Sequence, residues 1–345
     1  TPPSTAAGTL SVTISATNAG GTDTRTLTVT INSVTPLPNV KNFGFYHSWG
    51  TLVNGVPETE PQVRAQLMSQ PSINMVMVPV IDENTESRLI EVANSGKKAY
   101  VGLRWILFGA PVPCTSPGTN CNFPVGTVGE PMGQMKLADV SVWNNFVTSS
   151  NLRRYVDNGT IGAFDLADEP YWNNVSSADL RAATLRVKRD FPTTPISFVE
   201  AVPVLEGFNG KNVFEVPDMV DWVGFDRYYV QHPAASGSSV RTDLAILNSK
   251  LTKPRQKMVL VPDTWWDPTH GNTIPSTADM AGIFQEYVTL ASEQPRITTF
   301  LNFIWDEASY QGWIGARNLP QAARDAYTAV GNSIVANPPG DRTPP

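Results

Sequence analysis

Short apolar runs alternate with helical patterns along most of this chain. Eight of the runs are continuous and rich in Val, Ile and Phe, which is typical of strands buried on both faces of a parallel sheet. The segments between them repeat apolar residues at helical spacing. The predicted strands are 42–47, 74–80, 98–105, 161–168, 195–201, 221–227, 257–263 and 298–305. The predicted helices are 59–69, 85–95, 137–156, 177–190, 239–252, 277–293 and 319–335.

Strands that alternate with helices in this way predict an α/β fold, a (β/α)₈ TIM barrel over residues 40–335. The alternative architecture is a doubly wound open sheet. That fold usually has a Gly-rich phosphate-binding loop after its first strand, and the segment 44–50, with the sequence GFYHSWG, does not have that pattern. The pattern therefore favours the barrel.

The first 34 residues follow a different period. Residues 9–18 and 24–31 alternate polar and apolar positions with a period of two, and residues 19–23 have the composition of a turn, which predicts a β-hairpin. Residues 35–39 are a predicted linker, and the Pro-rich segment 336–345 is a second one. We expect this chain to be a monomeric part of a larger multidomain protein.

Composition narrows the possible partners. The net charge is −6 and no cluster of Lys and Arg stands out, so nucleic acid is not an expected partner. No apolar run has the length needed to span a bilayer. The chain begins at Thr1, which is typical of a mature or trimmed fragment. We expect a secreted, extracellular protein of bacterial origin.

The two cysteines support the same compartment. Cys114 and Cys121 lie close together in a loop rich in Pro, Ser, Thr and Asn, which favours a small disulfide formed in an oxidising environment. Two free thiols are the alternative. The three His residues are scattered, so neither a metal site nor another cofactor is predicted.

Acidic residues follow the predicted strands at the end where a TIM barrel carries its active site. The fourth strand ends in Asp168 and is followed by Glu169 and Pro170. Cleavage of a glycosidic bond requires one carboxylic acid and a second carboxylate, and several carboxylates at one rim raise one another's pKa, so that one stays protonated. The other candidates at strand ends are Glu200, Asp226, Asp263, Asp306 and Glu307.

Aromatic and polar residues at the same end of the barrel are candidates for binding substrate. The chain has nine Trp residues, and flat aromatic faces can stack on the apolar faces of sugar rings. Packing in the core is the alternative role for each of them. The predicted substrate-binding residues are His47, Arg104, Trp105, Asp168, Tyr171, Trp172, Asp226, Trp265 and Trp266, and Trp313 is a further aromatic candidate.

The segment Asp168-Glu169-Pro170 resembles the Asn-Glu-Pro motif of clan A glycoside hydrolases, which are retaining TIM-barrel enzymes. The resemblance implies that Glu169 is the general acid/base. It assigns the nucleophile to the end of the seventh strand, where this chain has Asp263 in place of the clan's Glu. It also implies substrate-binding roles for Tyr228 or Tyr229, after the sixth strand, and for Trp305, at the end of the eighth.

Residues 9–31 resemble the last two strands of bacterial immunoglobulin-like modules. A weaker resemblance of the fourth strand is to chitinase-like barrels, because Asp165 lies four residues before Glu169. Position 167 is Ala, however, where that motif has the Asp that directs an N-acetyl group. A further alternative is a non-catalytic carbohydrate-binding or adhesion protein on a barrel scaffold.

These observations lead to one functional hypothesis. We expect a secreted glycoside hydrolase that cleaves a polysaccharide inside the chain with retention of configuration. Glu169 is the expected general acid/base, Asp263 is the preferred second carboxylate, and Glu200 is its rival.

Overall fold

The computed structural model describes most of the barrel and the hairpin. The predictions that lie outside the described residues are the role of His47, the Cys114–Cys121 disulfide, the role of Glu307 and all but the first residue of the predicted linker 336–345. The described residues are 8–31, 37–46, 60–80, 85–112, 133–207, 210, 212–267, 279–306 and 313–336.

Eight parallel strands close into a barrel, as predicted from the sequence. They follow one another around the barrel in chain order, and the last strand pairs with the first. The strands are β3 (Asn42–Phe45), β4 (Met75–Pro79), β5 (Lys98–Gly102), β6 (Ile161–Asp168), β7 (Ile196–Ala201), β8 (Trp222–Asp226), β9 (Lys257–Val261) and β10 (Ile297–Asn302).

Helices surround the barrel in the connections between the strands. The predicted helix over 137–156 is two helices, because the chain turns at Asn151, whose φ is 50°. None of the helices in the described part of the chain combines the length and hydropathy that crossing a bilayer requires. They are α1 (Glu60–Ser69), α2 (Thr85–Asn94), α3 (Arg104–Leu107), α4 (Val140–Ser149), α5 (Leu152–Asp157), α6 (Ser177–Asp190), α7 (Val202–Leu205), α8 (Ser239–Lys250), α9 (Met280–Glu293) and α10 (Gln321–Ala336).

The core has two layers because successive strand residues point to opposite faces of the sheet. On β3, Phe43 and Phe45 pack in the large cluster between the barrel and the helices, and Tyr46, directly after β3, belongs to the smaller cluster inside the barrel. Strand β6 breaks this alternation, since its pairing with β7 shifts register between Asp165 and Asp168. The shift leaves Ala167 in the outer cluster and brings Asp168 to the inside of the barrel, beside Tyr46.

The amino-terminal hairpin has the predicted antiparallel form. Strand β1 (Gly8–Asn18) pairs with β2 (Gly21–Ile31), and Asn18 lies opposite Gly21. The turn between them is therefore two residues long, shorter than the five residues predicted, because Thr22 and Asp23 continue the strand ladder. The described side chains of the hairpin are exposed, and Ile14 is 58% exposed.

Two helical glycines test how tightly the outer layer packs. A methyl group on Gly331 of α10 would lie 2.4 Å from the carbonyl oxygen of Ser72 and 2.8 Å from the ring of Phe43, whereas one on Gly282 of α9 would meet nothing within 4 Å. We expect Gly331→Ala to lower the melting temperature in spite of the better helix propensity of Ala. Gly282→Ala should raise the free energy of unfolding by about 0.8–1 kcal/mol. Thermal unfolding of both variants measures this, and equal effects in the two would contradict the packing described for α10.

Candidate active site

The acidic side chains at the strand ends gather at one rim of the barrel. Parallel strands bring their carboxyl ends to the same edge, so Asp168, Glu200, Asp226 and Asp263 lie there together although they are distant in sequence. Glu200 is fully buried, Asp263 is 6% exposed and Asp226 is 9% exposed. A buried carboxylate must either be protonated or receive hydrogen bonds, and these four residues meet that requirement in different ways.

Glu169 occupies a turn held by backbone hydrogen bonds at the end of β6. Its N–H donates to the Val199 carbonyl at 2.8 Å, and its own carbonyl accepts from the N–H of Asn173 at 2.8 Å. Its φ is 47°, in the left-handed region where residues other than glycine are uncommon. Such conformations cluster at functional sites.

The surroundings of Glu169 favour its protonated form. Burial, then the charges of Asp226, Asp168 and Glu200, raise the pKa of Glu169 well above its usual value, and the Arg104 guanidinium opposes them. A carboxyl group with a raised pKa keeps its proton to a higher pH than a free carboxyl group does, and it can then donate that proton. Glu169 therefore has the electrostatic setting of a general acid.

Tyr100 on β5 and Tyr46, directly after β3, hold the acids of β6 inside the barrel. The Tyr46 hydroxyl donates to Asp168 Oδ1 at 2.9 Å, and the Tyr100 hydroxyl donates to Asp165 Oδ1 at 2.9 Å. Tyr100 is also 2.5 Å from the hydroxyl of Ser197. Arg104 Nη1 lies 4.0 Å from Asp168 Oδ2. This network fixes Asp168 directly before Glu169.

Sequence analysis missed both of these tyrosines. Tyr46 and Tyr100 lie within apolar runs whose composition indicates burial on both faces, so nothing marked them as different from core residues. The one available signal was strand alternation, which places Tyr46 two positions after Gly44 on the inner face of β3. Asp165 was noted only through the chitinase-like motif.

Asp226 is the last residue of β8 and interacts with Tyr228. The Tyr228 hydroxyl donates to Asp226 Oδ2 at 2.9 Å. Burial, then the charges of Asp226, Asp168 and Glu169, raises the pKa of Tyr228 well above its usual value. The neighbouring Arg227 forms its ion pair elsewhere, donating from Nε to Asp243 Oδ2 at 2.5 Å.

Glu200 is bound by backbone amides. Its Oε2 accepts from the N–H of Tyr171 at 2.8 Å, and its Oε1 accepts from the N–H groups of Trp172 and Ala201 at 3.1 and 3.0 Å. Burial raises the pKa of Glu200 to about 8, against these hydrogen bonds, which favour the charged form. Glu200 thereby ties the loop after β6 to the end of β7.

Asp263 is also held by backbone. Its Oδ2 accepts from the N–H of Tyr229 at 2.8 Å. Burial raises the pKa of Asp263 to about 8, and hydrogen bonds from the backbone of Tyr229 and Val230 oppose that rise. Burial, and after it the charge of Asp263, raises the pKa of Tyr287 on α9 and of Tyr327 on α10.

An aromatic cluster lies beside Asp226 and Asp263. Trp265 is at its centre, 4% exposed, with its ring centroid 4.2 Å from that of Trp313. Tyr229 is 37% exposed and forms the accessible part of the cluster. The other ring centroids lie 5.3 Å (Tyr229), 5.8 Å (Tyr228) and 5.8 Å (Phe303) from that of Trp265.

A second accessible aromatic ring follows β5. Trp105 is 39% exposed, and the guanidinium carbon of Arg104 lies 5.1 Å from its ring centroid. Because Arg104 also lies near Asp168, this pair is linked to the fourth strand. Trp105 and Tyr229 therefore present aromatic surface after the ends of two different strands, β5 and β8.

Four other predicted aromatic residues pack between the barrel and the helices. Tyr171 is 1% exposed, and its hydroxyl donates to the Glu215 carbonyl at 2.8 Å. Trp172 belongs to the outer core cluster, and Trp266 is a partly buried residue that packs against this cluster. Trp305 is 8% exposed and its ring centroid lies 5.1 Å from that of Phe45, on the outer face of β3. These positions are better suited to packing than to binding a sugar.

The remaining candidates add neither an acid nor a metal site to the mouth of the barrel, which is the rim formed by the carboxyl ends of the strands. Asp306 accepts a hydrogen bond from Arg317 Nε at 2.6 Å, as a structural ion pair would. Across the ranges that the structure describes, no group of three His, Cys, Asp or Glu side chains is arranged to hold a metal ion.

Comparisons with known proteins support the fold. Neither a family model nor a curated protein matches this chain. A β-D-glucuronidase from Dictyoglomus thermophilum has a similar structure, with a TM-score of 0.51 and 12% identity, covering 91% of this chain and 56% of that one. A β-glucuronidase from Ruminococcus gnavus has a TM-score of 0.50 and 11% identity, covering 92% and 56%. This chain thus spans about half the length of these two proteins, and what it shares with them is the barrel fold.

Proposed function

We propose that this chain is a glycoside hydrolase that cleaves a polysaccharide, with Glu169 as its general acid/base. The observation that carries the proposal is the position of Glu169 at the carboxyl end of the fourth barrel strand, half-buried, where burial and the charges of Asp226, Asp168 and Glu200 raise its pKa. The two structures of similar fold are β-glucuronidases, which agrees with this reaction class.

Protonation of the leaving oxygen is the step assigned to Glu169. The glycosidic C–O bond breaks with its electron pair moving to the oxygen, and Glu169 supplies the proton that this oxygen takes up. The Tyr46 hydroxyl holds Asp168 in place by a hydrogen bond. The charge of Asp168 adds to burial and to the charge of Asp226 in raising the pKa of Glu169. The resulting carboxylate then acts as a base toward the incoming water.

The accessible aromatic rings favour binding of a chain rather than a single sugar. Trp105 follows β5 and Tyr229 follows β8, so aromatic surface is available on two sides of Glu169. A polysaccharide that crosses the mouth would contact both, which supports cleavage inside the chain. We propose that the protein works outside the cell as a monomeric unit of a larger protein.

Two alternatives are less well supported. A non-catalytic binding protein would use the aromatic rings but would not need a protonated acid surrounded by charges. A chitinase-like mechanism needs a carboxylate two residues before the acid, and Ala167 packs in the outer core at that position. Ala167 has no carboxyl group, so it cannot direct an N-acetyl group as the Asp of that mechanism does.

Glu169→Gln should retain the fold and lose activity. The amide has the same size but cannot give up a proton, and general acid catalysis commonly contributes about 10²–10⁴-fold. Release of reducing ends from xylan, mannan, cellulose and polyuronic acids measures the loss. Glu293→Gln, at the end of α9 and half-exposed, is the matched control and should retain activity. Activity of Glu169→Gln near that of the wild type would contradict the role of Glu169.

The alkaline limb of the pH profile should respond to two neighbours in opposite directions. Activity is lost as the pH rises through the pKa of Glu169, because the acid must be protonated. Arg104→Gln removes a cation that lowers this pKa, so the limb should move to higher pH; Asp168→Asn removes an anion that raises it, so the limb should move to lower pH. Each shift should be about one pH unit.

The measurement is kcat/KM as a function of pH, which reports the free enzyme. Arg189→Gln, an exposed position on α6, is the control and should leave the limb unchanged. Shifts of the same sign in Arg104→Gln and Asp168→Asn would show that the limb belongs to a group other than Glu169.

A further inference from the structure

We infer that Arg104 binds a carboxylate of the substrate, so that the polysaccharide cleaved by this protein contains uronic acid residues. The inference rests on the proposed glycosidase function and names the substrate class of the same site. It is carried by N–H groups of Arg104 that have no acceptor in the part of the chain that the structure describes. These groups lie between Asp168 and an accessible aromatic ring, that of Trp105.

Two of the three nitrogens of the Arg104 guanidinium have no hydrogen-bond partner. Nε and Nη2 are both buried, and neither donates to an acceptor among the described residues. Nη1 lies 4.0 Å from Asp168 Oδ2, which is longer than a hydrogen bond. Buried N–H groups are costly to leave without an acceptor, and arginine cannot lose its proton to escape that cost. The guanidinium therefore calls for an acceptor that is itself an anion.

The nitrogens without a partner form one edge of the planar guanidinium. Nε–H and an N–H of Nη2 point outward side by side, at a spacing that matches the two oxygens of a carboxylate. A sugar hydroxyl has one oxygen and cannot accept both bonds in line. Nη1 occupies the corner opposite this edge, so its contact with Asp168 leaves the edge available.

Two other arginines of this chain use the same edge to hold a carboxylate. Arg64 Nε and Nη2 donate to Oε2 and Oε1 of Glu91 at 3.0 and 3.3 Å. Arg227 Nε and Nη2 donate to Oδ2 and Oδ1 of Asp243 at 2.5 and 3.4 Å. In both pairs the acceptor belongs to the chain itself. For Arg104 we expect the substrate to supply it.

Arg104 lies where a substrate would cross the barrel. It is the first residue of α3 and follows β5 by two residues, so it is at the rim that carries Glu169. Its side chain is 14% exposed, and its guanidinium carbon lies 5.1 Å from the ring centroid of Trp105, which is 39% exposed. A sugar ring stacked on Trp105 would therefore have its substituents beside the guanidinium.

A uronic acid is the sugar that carries the required group. It has a carboxylate in place of the hydroxymethyl group of a hexose, and this carboxylate is ionised at neutral pH. Methyl esterification removes the charge and leaves the sugar otherwise unchanged, which gives a matched control ligand. A sulfate ester is the other common oxyanion of polysaccharides, and it is tetrahedral rather than planar.

Binding is measured by isothermal titration calorimetry on Glu169→Gln protein, which should not cleave the ligand. The ligands are tetramers of glucuronic, mannuronic and galacturonic acid, each paired with its methyl ester, together with cellotetraose, mannotetraose and sulfated cellotetraose. We expect at least one acidic tetramer to bind about 10–100-fold more tightly than its ester, because hydrogen bonds between charged partners are strong. The neutral tetramers should bind about as weakly as the esters.

Variants of Arg104 in the same background test the fork of two N–H groups. Arg104→Lys keeps the charge but has no planar edge, so it should lose most of the preference for the acid over its ester. Arg104→Gln should lose all of it. Both should bind the ester nearly as tightly as the parent protein does, and thermal unfolding checks that each variant folds. Arg189→Gln, exposed on α6, is the control and should keep the full preference.

Kinetics in the wild-type background give a second readout. The ratio of kcat/KM for an acidic oligosaccharide to kcat/KM for its ester isolates recognition of the carboxylate, because any effect of Arg104 on the pKa of Glu169 applies to both substrates. Arg104→Lys should lower this ratio about 10-fold or more. Arg189→Gln should leave the ratio unchanged.

The outcomes separate this inference from the proposed function. A protein that binds an acidic tetramer through Arg104 but cleaves no polysaccharide would contradict the proposed function and support the carboxylate site. A protein that cleaves a neutral polysaccharide and binds no acidic tetramer more tightly than its ester would do the reverse.

Three further results would overturn the role of Arg104. Equal losses for acid and ester in Arg104→Lys would assign the side chain to its pairing with Asp168 alone. A preference retained in full by Arg104→Lys would show a general attraction between charges rather than a fork. Tight binding of sulfated cellotetraose without binding of any uronic acid tetramer would show that the site does not select a carboxylate.

Discussion

The cost of burying carboxylates governs the architecture of this barrel mouth. Parallel strands deliver acids to one rim, and taking a charge away from water is expensive unless it is protonated or hydrogen-bonded. Glu200 and Asp263 receive backbone N–H groups. Asp168 accepts a hydrogen bond from a tyrosine hydroxyl, and burial together with neighbouring charges raises the pKa of Glu169. The carboxyl groups at this rim are therefore accommodated in different ways, by backbone hydrogen bonds, by a side-chain hydrogen bond or by a raised pKa.

The same constraint connects the loops to the barrel. Because Glu200 binds the N–H groups of Tyr171 and Trp172, the loop that follows Glu169 is fixed by the next strand. Asp263 does the same for the loop that carries Tyr229. Neither carboxylate needs to touch substrate to matter, since each sets the backbone on which a mouth residue sits. A polar group with a structural role and one with a chemical role can therefore lie a few residues apart.

The register shift in β6 has a comparable effect on the fourth strand. Regular alternation would direct Asp165 and Ala167 inward and Asp168 outward. The shift keeps Asp165 inside, moves Ala167 into the outer core and brings Asp168 to the hydroxyl of Tyr46. The turn at Glu169 follows directly, with its N–H bonded to β7. One irregularity in the ladder thus determines how Asp168, the acid directly before Glu169, is oriented.

The sequence alone determined the eight strands, most of the helices, the hairpin and the rim on which the acids gather. These features follow from local periodicity and from the rule that parallel strands share an edge, so they require no knowledge of distant contacts. Tertiary structure decided the roles of the individual side chains. Glu200 and Asp263 carry the same strand-end signature as the other rim acids, and the backbone amides that bind them come from other parts of the chain. Tyr46 and Trp305 likewise occur in similar apolar surroundings in the sequence, but one faces the inside of the barrel and the other packs on its outer surface. Hydrogen bonds and packing between residues far apart in the chain cannot be read from local pattern, and for that reason the sequence located the site but did not assign its carboxylates.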